Sequence, residues 1–486
     1  MKTKRLDARL LRSAVGSLAW AAMVCTSLTR AEDEATAPFP HVTRYLTARD
    51  LDARLKEVPV DAHLSSVDPR HVASIRIDPR VRYQEIVGFG GAFTDAAGSV
   101  LQKMPAAKQE EILRAYFDPV KGLGYTLCRT HINSCDFSTD NYAYDETPGD
   151  VDLKQFSIER DRRDLIPMIK RAQALSNNAL KIFASPWSPP GWMKTNGEMN
   201  NGGKLKPEYR DVWARYFVRY IQEYAKEQIP IWGVTVQNEP AATQVWDSCT
   251  YTAEEERDFV RDDLGPELAK AGLDTRIMIW DHNRDEMYER ARVTLDDPVA
   301  AKFVWGVAFH WYAAEFYQNV GDVHDAWPDK QVLLTEGCQE GGVHLNEWAV
   351  GERYGHSMIG DIKNWSVGWV DWNILLDQTG GPNHVGNLCS APVIANTKTG
   401  EVLFQSSYYY IGQFAKFVRP GAFRVLAAPT DENLETTAFV NPDGSTVVVV
   451  MNRTELPIRF EIKLGSQSAK MDAPEHSIQT VVIGRG

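Results

Sequence analysis

Eight short apolar segments, each ending in polar or aromatic residues, alternate with helical stretches along residues 86–373. In residues 212–224, for example, apolar side chains recur at spacings of three and four, which is the period of an amphipathic helix. Eight repeats of a strand followed by a helix predict an α/β fold, a closed (β/α)8 TIM barrel. The eight segments are residues 86–95, 124–131, 180–185, 231–240, 276–281, 304–312, 330–338 and 367–373.

Two of these segments deliver a glutamate. The fourth finishes with Asn238-Glu239-Pro240, and the seventh brings Glu336 immediately before a glycine. An isolated Asn-Glu-Pro is also typical of a turn with a solvated glutamate, but here a second carboxylate has the same setting. Because a barrel carries its chemistry at the C-terminal ends of its strands, we expect both carboxylates to face one mouth, roughly three β/α units apart. Paired carboxylates of this kind perform glycoside hydrolysis.

The sequence on either side of the predicted barrel is typical of β-structure. Residues 39–80 contain short β-like runs separated by proline and aspartate turns, and alternating runs return from about residue 417. The turn sequence Asn441-Pro442-Asp443-Gly444 joins two of the later runs. We predict a catalytic barrel over residues 81–416 and an all-β sandwich over 417–486. The N-terminal strands are expected to pack with this sandwich, because they are too short to bury a core of their own.

The first 31 residues have the pattern of a secretory signal peptide. A basic segment, Met1 to Arg12, precedes a modest apolar run from Ala14 to Leu28, and cleavage is predicted after Ala31. The apolar run is short and interrupted by serine and threonine, whereas a membrane-spanning helix needs about 20 apolar residues. We therefore predict a secreted or periplasmic protein with no stable membrane insertion.

Charge and cysteine content exclude several classes of partner. The net charge of −12 argues against nucleic acid, which selects a basic surface. Of the six cysteines, Cys25 would leave with the signal peptide, and an odd number remains. No Cys-x-x-Cys or histidine-rich spacing is present, so neither a metal nor another cofactor is predicted. Oligomeric state and disulfide pairing are left open.

A glycine-rich stretch, residues 88–91, lies in the first segment. Its spacing is not that of a dinucleotide-binding G-x-G-x-x-G, and no P-loop lysine follows. We interpret these glycines as close packing of a barrel strand against its helix.

Several motifs resemble those of glycoside hydrolase family 30, and within it the glucosylceramidase branch (lysosomal acid β-glucosidase-like). The resemblance covers essentially everything after about residue 39, in order. The motifs are Gly88-Phe89-Gly90-Gly91-Ala92-Phe93-Thr94-Asp95, Ser134-Cys135-Asp136-Phe137-Ser138, Ala184-Ser185-Pro186-Trp187-Ser188, Lys194-Thr195-Asn196-Gly197, Trp213-Ala214-Arg215-Tyr216-Phe217, Asn238-Glu239-Pro240, His310-Trp311-Tyr312, Thr335-Glu336 and Gly380-Gly381-Pro382-Asn383.

The resemblance implies a retaining mechanism, with Glu239 as the acid/base and Glu336 as the nucleophile. The two carboxyl groups are then expected about 5 to 5.5 Å apart, with the pKa of Glu239 raised and Glu336 ionised. Arg129, His310 and Tyr312 lie at strand ends from which they could reach Glu336. For His310 alone, a structural histidine is the plainer interpretation.

The family pattern also implies a set of contacts to the sugar ahead of the cleaved bond. An aspartate can accept two hydroxyl protons, an indole can donate while its face excludes water, and Asn238 can hold the 2-hydroxyl. Trp187 and Trp372 could instead be core aromatics, and Asp95 is interpreted as a structural partner. The implied contacts are Asp136, Trp187, Asn238, Trp372 and Asn387.

The resulting expectation is an exo-acting retaining β-glucosidase with glucosylceramide-type lipids or another β-glucoside, glycolipid or oligosaccharide, as substrate. The sequence departs from the mammalian lysosomal pattern at residues 129–133, and the loop 241–249 is short. Because these segments help to frame the aglycone side, the identity of the leaving group stays open. Alternatives within the family are β-1,6-glucanase, β-xylosidase and β-fucosidase. A non-catalytic carbohydrate-binding protein is the alternative from another class, but it would be expected to lose a carboxylate, and both glutamates are present.

Overall fold

Eight parallel strands form a barrel in the computed structural model, which describes residues 37–39, 41–61 and 72–484. The strands are Gly88–Gly91, Leu127–Ile132, Lys181–Pro186, Ile231–Thr235, Arg276–Asn283, Val304–His310, Gln331–Glu336 and Ser366–Asp371. From the second strand to the eighth, each pairs with its neighbour in chain order, and the eighth pairs with the first. The first and second meet through the Ala92–Arg129 bridge and a hydrogen bond from Thr126 N to Phe89 O at 3.0 Å. The predicted (β/α)8 barrel is confirmed.

Helices lie between the strands, and their apolar faces explain where they pack. In Arg210–Lys226 the buried side chains include Val212, Tyr216, Tyr220 and Tyr224, which share one face. The α-helices are Asp95–Lys103, Ala106–Phe117, Leu165–Leu175, Arg210–Lys226, Ala253–Phe259, Gly265–Lys270, Met287–Leu295, Pro298–Ala301, Tyr317–Ala326, Trp348–Lys363 and Ser406–Ala415. A π-helical turn spans Val260–Leu264, and 3-10 turns span Gly191–Met193 and Pro207–Tyr209.

The glycines of the first strand pack against the neighbouring strand, so the interpretation that they pack against a helix is wrong. A Cβ on Gly90 would lie 1.7 Å from the carbonyl oxygen of Leu127, in the second strand. A Cβ on Gly88 would likewise lie 2.6 Å from Thr126 Oγ1. The absence of side chains at these positions lets the first two strands approach closely enough to close the barrel.

Ten further strands form one hydrogen-bonded sheet outside the barrel. In sheet order they are Ala37–Pro38, Gln467–Ala473, Ile458–Leu464, Ala73–Glu85, Phe423–Pro429, Leu434–Val440, Thr446–Asn452, Ser477–Ile483, Val42–Ala48 and Ala53–Val58. Met471 and Val448 belong to one buried apolar cluster, although four strands separate them in the sheet. The sheet therefore folds over itself as a sandwich. N-terminal strands supply part of it, as predicted.

Helix Ser406–Ala415 joins the sandwich to the barrel. The Gln413 amide donates a hydrogen bond to Thr47 Oγ1 at 2.9 Å, and Thr480 Oγ1 donates to the carbonyl of Gln413 at 2.6 Å. Small strands lie in the long loops that precede this helix. Gln339–Glu340 pairs with Cys389–Ser390, and a three-stranded sheet comprises Leu376–Asp377, Val393–Ala395 and Val402–Phe404.

The signal peptide, residues 1–31, lies outside the described residues, so secretion stays a prediction. Within the described ranges, no helix combines the length and apolar character that crossing a membrane requires. The five cysteines of the described chain are unpaired and buried.

Replacing Gly90 by alanine is expected to lower the free energy of unfolding by about 3 kcal/mol, because the added methyl group overlaps the Leu127 carbonyl. Denaturant unfolding measures this change. Gly321→Ala is the matched control: it lies in helix Tyr317–Ala326, and its Cβ would meet only Asn364 Oδ1, at 3.3 Å. Alanine is favoured inside a helix, so the control is expected to stay within about 1 kcal/mol of the parent. Equal effects at the two sites would contradict the close strand approach.

Candidate active site

A pocket of about 270 Å³ opens at the C-terminal ends of the barrel strands. Eight of the predicted site residues line it: Asp136, Trp187, Asn238, Glu239, Tyr312, Glu336, Trp372 and Asn387. The other two, Arg129 and His310, are fully buried and lie behind these groups. The pocket wall also contains residues that the sequence analysis did not predict, namely Phe137, Gln244, Trp246, His282, Asn283, Cys338, Glu340 and Cys389.

Alternation along the strands explains why polar groups meet beneath the pocket. Apolar residues such as Leu127, Phe183 and Leu333 form a cluster inside the barrel. The side chain two positions later on each strand points to the same side and lies nearer the C-terminal end. Arg129, Ser185 and Thr335 occupy these later positions in strands two, three and seven. The barrel interior is therefore apolar below and polar directly under the pocket.

Arg129 lies within the second strand, not at its end as expected, and connects both sides of the site. Its guanidinium donates to Glu336 Oε2, to Asn238 Oδ1 at 2.9 Å and to Asp281 Oδ2 at 2.7 Å. Its Nε donates to Ser185 Oγ at 2.9 Å. A buried arginine is tolerated only when its donors are satisfied in this way.

Asp281 is the main contributor that the sequence analysis missed. It accepts hydrogen bonds from Thr235 Oγ1 and Thr335 Oγ1, each at 2.6 Å, and His310 Nε2 lies 3.0 Å from its Oδ1. Trp280 and Asp281 both have positive φ, and the pairing register shifts at this point. This bulge turns Asp281 inward where simple alternation would place Trp280. Although burial raises the pKa of Asp281, the charges of Arg129 and His310 hold it far below its usual range.

Glu239 is presented by a short loop beyond the fourth strand. The strand ends at Thr235, and Glu239 has a φ of 48°, a left-handed conformation that costs about 1 to 2 kcal/mol for a residue with a side chain. Two backbone hydrogen bonds hold this conformation: Asn238 N donates to Pro186 O at 2.8 Å, and Glu239 N donates to Asp281 O at 3.0 Å. The loop is thereby fixed to its neighbouring strands.

Glu336 is the last residue of the seventh strand, and two side chains donate to its carboxylate. Arg129 contacts Oε2, while the Tyr312 hydroxyl donates to Oε1 at 3.0 Å. One carboxylate oxygen of Glu336, one of Glu239 and one ring nitrogen of His310 all lie within 4.8 Å of one another. The structure thus brings the two predicted catalytic carboxylates together in one pocket.

The proton distribution in the free site differs from the expected one. Although burial lowers the pKa of His310, the carboxylates of Glu336, Asp281 and Glu239 raise it to about 9. Burial raises the pKa of Glu239, but the charges of His310 and His282 outweigh this effect and lower it. The pKa of Glu336 is raised, because burial outweighs the opposing charges of His310 and Arg129. The expected raised pKa of Glu239 is therefore absent from the free site, since a charged histidine lies beside it.

The predicted sugar contacts all line this pocket. Asn387 Nδ2 donates to Asp136 Oδ2 at 3.1 Å, and Asn383 Nδ2 lies 3.3 Å from the same atom. Burial and the nearby charge of Glu336 raise the pKa of Asp136 to about 7. The rings of Trp187 and Trp372 stack 5.0 Å apart, so they pack with each other and also line the pocket.

Asp95 is structural, as the sequence analysis proposed. It does not line the pocket that contains the two glutamates, and its Oδ2 accepts hydrogen bonds from the backbone N–H and the hydroxyl of Thr139, both at 2.9 Å. These bonds fix the loop that follows Asp136.

Within the described chain, Glu239, His310 and Glu336 are the acidic and histidine side chains whose ligand atoms lie close enough to hold a metal. Two features disfavour a cation there. The guanidinium of Arg129 already pairs with Glu336, and His310, with a pKa of about 9, carries a proton on both ring nitrogens at neutral pH.

Because the pKa of His310 is raised from about 6.5 to about 9, its charged form stabilises the fold fully below pH 6.5, and this contribution is lost as the pH rises through 9. His310→Gln is expected to lower the free energy of unfolding by about 3 kcal/mol at pH 6, with a smaller difference at pH 9.5. Denaturant unfolding across this range measures it, and His41→Gln, at an exposed position, is the control. A difference that does not depend on pH would contradict the charged state of His310.

Comparison with known proteins places this site in a family. The models of the glycosyl hydrolase family 30 TIM-barrel and β-sandwich domains match residues 86–418 and 421–481. The mouse lysosomal acid glucosylceramidase is 38% identical over 406 residues, which cover 80% of this chain and 79% of that protein. An endo-1,6-β-D-glucanase of Neurospora crassa is 31% identical over 410 residues, or 80% and 83% of the two chains.

Solved structures agree with this assignment. SrfJ from Salmonella typhimurium superposes with a TM-score of 0.85 at 38% identity, covering 92% of this chain and 100% of that one. The endo-β1,6-glucanase BT3312 superposes with a TM-score of 0.84 at 29% identity and the same coverage. The chain therefore belongs to glycoside hydrolase family 30 and is a glycoside hydrolase.

Proposed function

We propose that this protein is a retaining exo-β-glucosidase that cleaves β-glucosidic bonds by double displacement. The observation that carries the proposal is the spacing of Glu239 and Glu336, whose nearest carboxylate oxygens lie within 4.8 Å. Retaining enzymes hold their carboxyl groups about 5 to 5.5 Å apart, whereas inverting enzymes need about 6.5 to 9.5 Å to admit a water molecule. The short spacing therefore supports direct attack by one carboxylate.

In this proposal Glu336 attacks the anomeric carbon while Glu239 protonates the leaving oxygen. The hydrogen bonds from Arg129 and Tyr312 orient the Glu336 carboxylate and favour its ionised form. Glu239 then removes a proton from the water that breaks the glycosyl ester, which returns both carboxylates to their starting states.

The proton for the first step belongs to a coupled group and not to Glu239 alone. His310 carries a proton at neutral pH and its Nδ1 lies 3.5 Å from Glu239 Oε1. Glu336 lies within 4.8 Å of both. Three groups this close titrate together, so we expect the pH profile of activity to report values that belong to the cluster.

The wall around Asp136 supports recognition of one terminal glucose. Asp136 can accept protons from two ring hydroxyls, and Asn387 and Asn383 hold it from the loop that follows the eighth strand. In this proposal Asn238, whose Oδ1 accepts a hydrogen bond from Arg129, holds the 2-hydroxyl, a contact that strengthens in the transition state.

Glucosylceramide-type lipids are the first choice of substrate, and β-1,6-linked glucan is the second. The first choice is supported by 38% identity to the mouse glucosylceramidase, and the second by similarity to endo-1,6-β-glucanases in sequence and structure. β-Xyloside and β-fucoside are further candidates from the sequence. We also propose that the protein is secreted or periplasmic, on the signal-like pattern of residues 1–31.

Hydrolysis of an aryl β-glucoside, glucosylceramide and a β-1,6-glucan oligomer tests the proposal, with proton NMR following the first-formed sugar. We expect β-glucose first, with glucosylceramide preferred. Glu336→Gln is expected to lower kcat by about 10³-fold or more, because the amide cannot act as the nucleophile. Glu208→Gln, at an exposed position, is the matched control. α-Glucose as the first product, or full activity of Glu336→Gln, would contradict the mechanism, and preference for the glucan oligomer would replace the lipid as substrate.

A further inference from the structure

Gln244 contacts the carboxylate that we assign as the acid/base. It lies in the loop after the fourth strand, five residues beyond Glu239, and its amide Nε2 donates to Glu239 Oε2 at 3.3 Å. The same side chain lines the pocket beside Trp246. Nothing in the local sequence pattern marks this glutamine, because loop residues follow no apolar period.

The backbone of Gln244 is held firmly although its neighbours Thr243 and Val245 are exposed. Its carbonyl accepts hydrogen bonds from Asn201 N at 2.9 Å and from Ser248 Oγ at 3.1 Å. Its own N–H donates to Ser248 Oγ at 3.2 Å. Three hydrogen bonds on one residue fix where its side chain begins, so the amide reaches Glu239 from a defined position.

The two oxygens of Glu239 have different partners. Oε1 lies 3.5 Å from His310 Nδ1 and 3.8 Å from His282 Nε2, whereas Oε2 accepts the hydrogen bond from Gln244. The histidine side of the carboxylate carries positive charge, and the Gln244 side is neutral. A proton on Glu239 is therefore more stable on Oε2, away from the charged His310, and Oε2 is the oxygen that carries it.

We propose that Gln244 is a positioning residue for proton transfer, which holds Oε2 of Glu239 towards the oxygen of the leaving group. The proposal rests on the proposed function, in which Glu239 is the acid/base. An amide suits this task because it offers both an N–H donor and a carbonyl acceptor. The N–H serves the ionised carboxylate, and after rotation of the amide the carbonyl serves the protonated one.

Glu239 gives up a proton in the first step and takes one back in the second. The Oε2–H proton passes to the glycosidic oxygen as the bond from that oxygen to the anomeric carbon breaks, and Glu336 bonds to the same carbon. In the second step water bonds to the carbon, the ester to Glu336 breaks, and the proton of the water returns to Glu239. Gln244 keeps Oε2 in place in both steps and exchanges no atom.

The test is Gln244→Leu, measured as kcat/KM on two β-glucosides with different leaving groups. An alkyl glucoside needs a proton on its leaving oxygen, whereas a 2,4-dinitrophenyl glucoside does not. We expect kcat/KM to fall about 10-fold for the alkyl glucoside and to change less than about 2-fold for the dinitrophenyl glucoside. The hydrogen bond from Gln244 also lowers the pKa of Glu239, so the alkaline limb of kcat/KM is expected to move to higher pH in the variant.

Gln318→Leu is the matched control, because it removes another amide hydrogen bond to a carboxylate, Asp322 Oδ1 at 2.7 Å, on an exposed helix. Equal losses on both glucosides, or no loss on either, would overturn the proposal. If Gln244→Leu does not fold, the nearly isosteric Gln244→Glu gives the same test. We expect the same selective loss and a larger shift of the alkaline limb, because a second carboxylate faces Glu239.

Glu239→Gln separates this proposal from the proposed function. If Glu239 is the acid, this variant loses kcat/KM for the alkyl glucoside and keeps kcat/KM for the dinitrophenyl glucoside, because kcat/KM reports the first step only. Its kcat on the dinitrophenyl glucoside falls, since the second step lacks its base. Equal loss of both would refute the role of Glu239 itself, whereas the selective loss in Glu239→Gln with none in Gln244→Leu would refute only the role of Gln244.

Discussion

The site depends on one buried cation, the guanidinium of Arg129. Burying an isolated charge costs several kcal/mol, and this cost is offset only because carboxylates from two other strands, Asp281 and Glu336, pair with it. The indole of Trp187 covers the guanidinium, with its centroid 4.7 Å away. Arg129 thus links the nucleophile that we assign to the rest of the barrel interior, and the second strand carries it there.

The same charge balance reaches the other carboxylate. Asp281 contacts both Arg129 and His310. It therefore connects the cation that pairs with Glu336, Arg129, to the cation beside Glu239, His310. Each of these groups changes the proton affinity of the next, because Arg129, Asp281 and His310 are buried and charges interact strongly in a medium of low dielectric constant. The free site therefore behaves as one coupled unit, and a substrate that binds there changes the proton affinities of all its members.

The eight strands and the pair of glutamates could be predicted because they depend on local periodicity and on position at strand ends. Asp281 could not, since a bulge at Trp280 breaks the alternation that decides which side chains face inward. The sequence pattern predicts Arg129 at a strand end, because apolar periodicity does not distinguish the apolar layer inside the barrel from the polar layer above it. The lowered pKa of Glu239 depends on His310 and His282, which other strands carry, so it does not follow from the sequence around Glu239. The position of the Gln244 side chain depends on hydrogen bonds within its loop, which the local sequence does not reveal either.

The sandwich has a consequence for how the chain comes to fold. Strand Val42–Ala48 pairs with strand Ser477–Ile483, and Arg44 and Gln479 within this pair are 435 residues apart. During synthesis the earlier strand emerges long before its partner, so its edge stays unpaired while the whole barrel is made. Pairing strands that are so far apart in the chain is slow, because a long loop must close first. The edge of strand Val42–Ala48 is protected only after strand Ser477–Ile483 has paired with it. Truncation near the C-terminus would thus expose the N-terminal edge to aggregation.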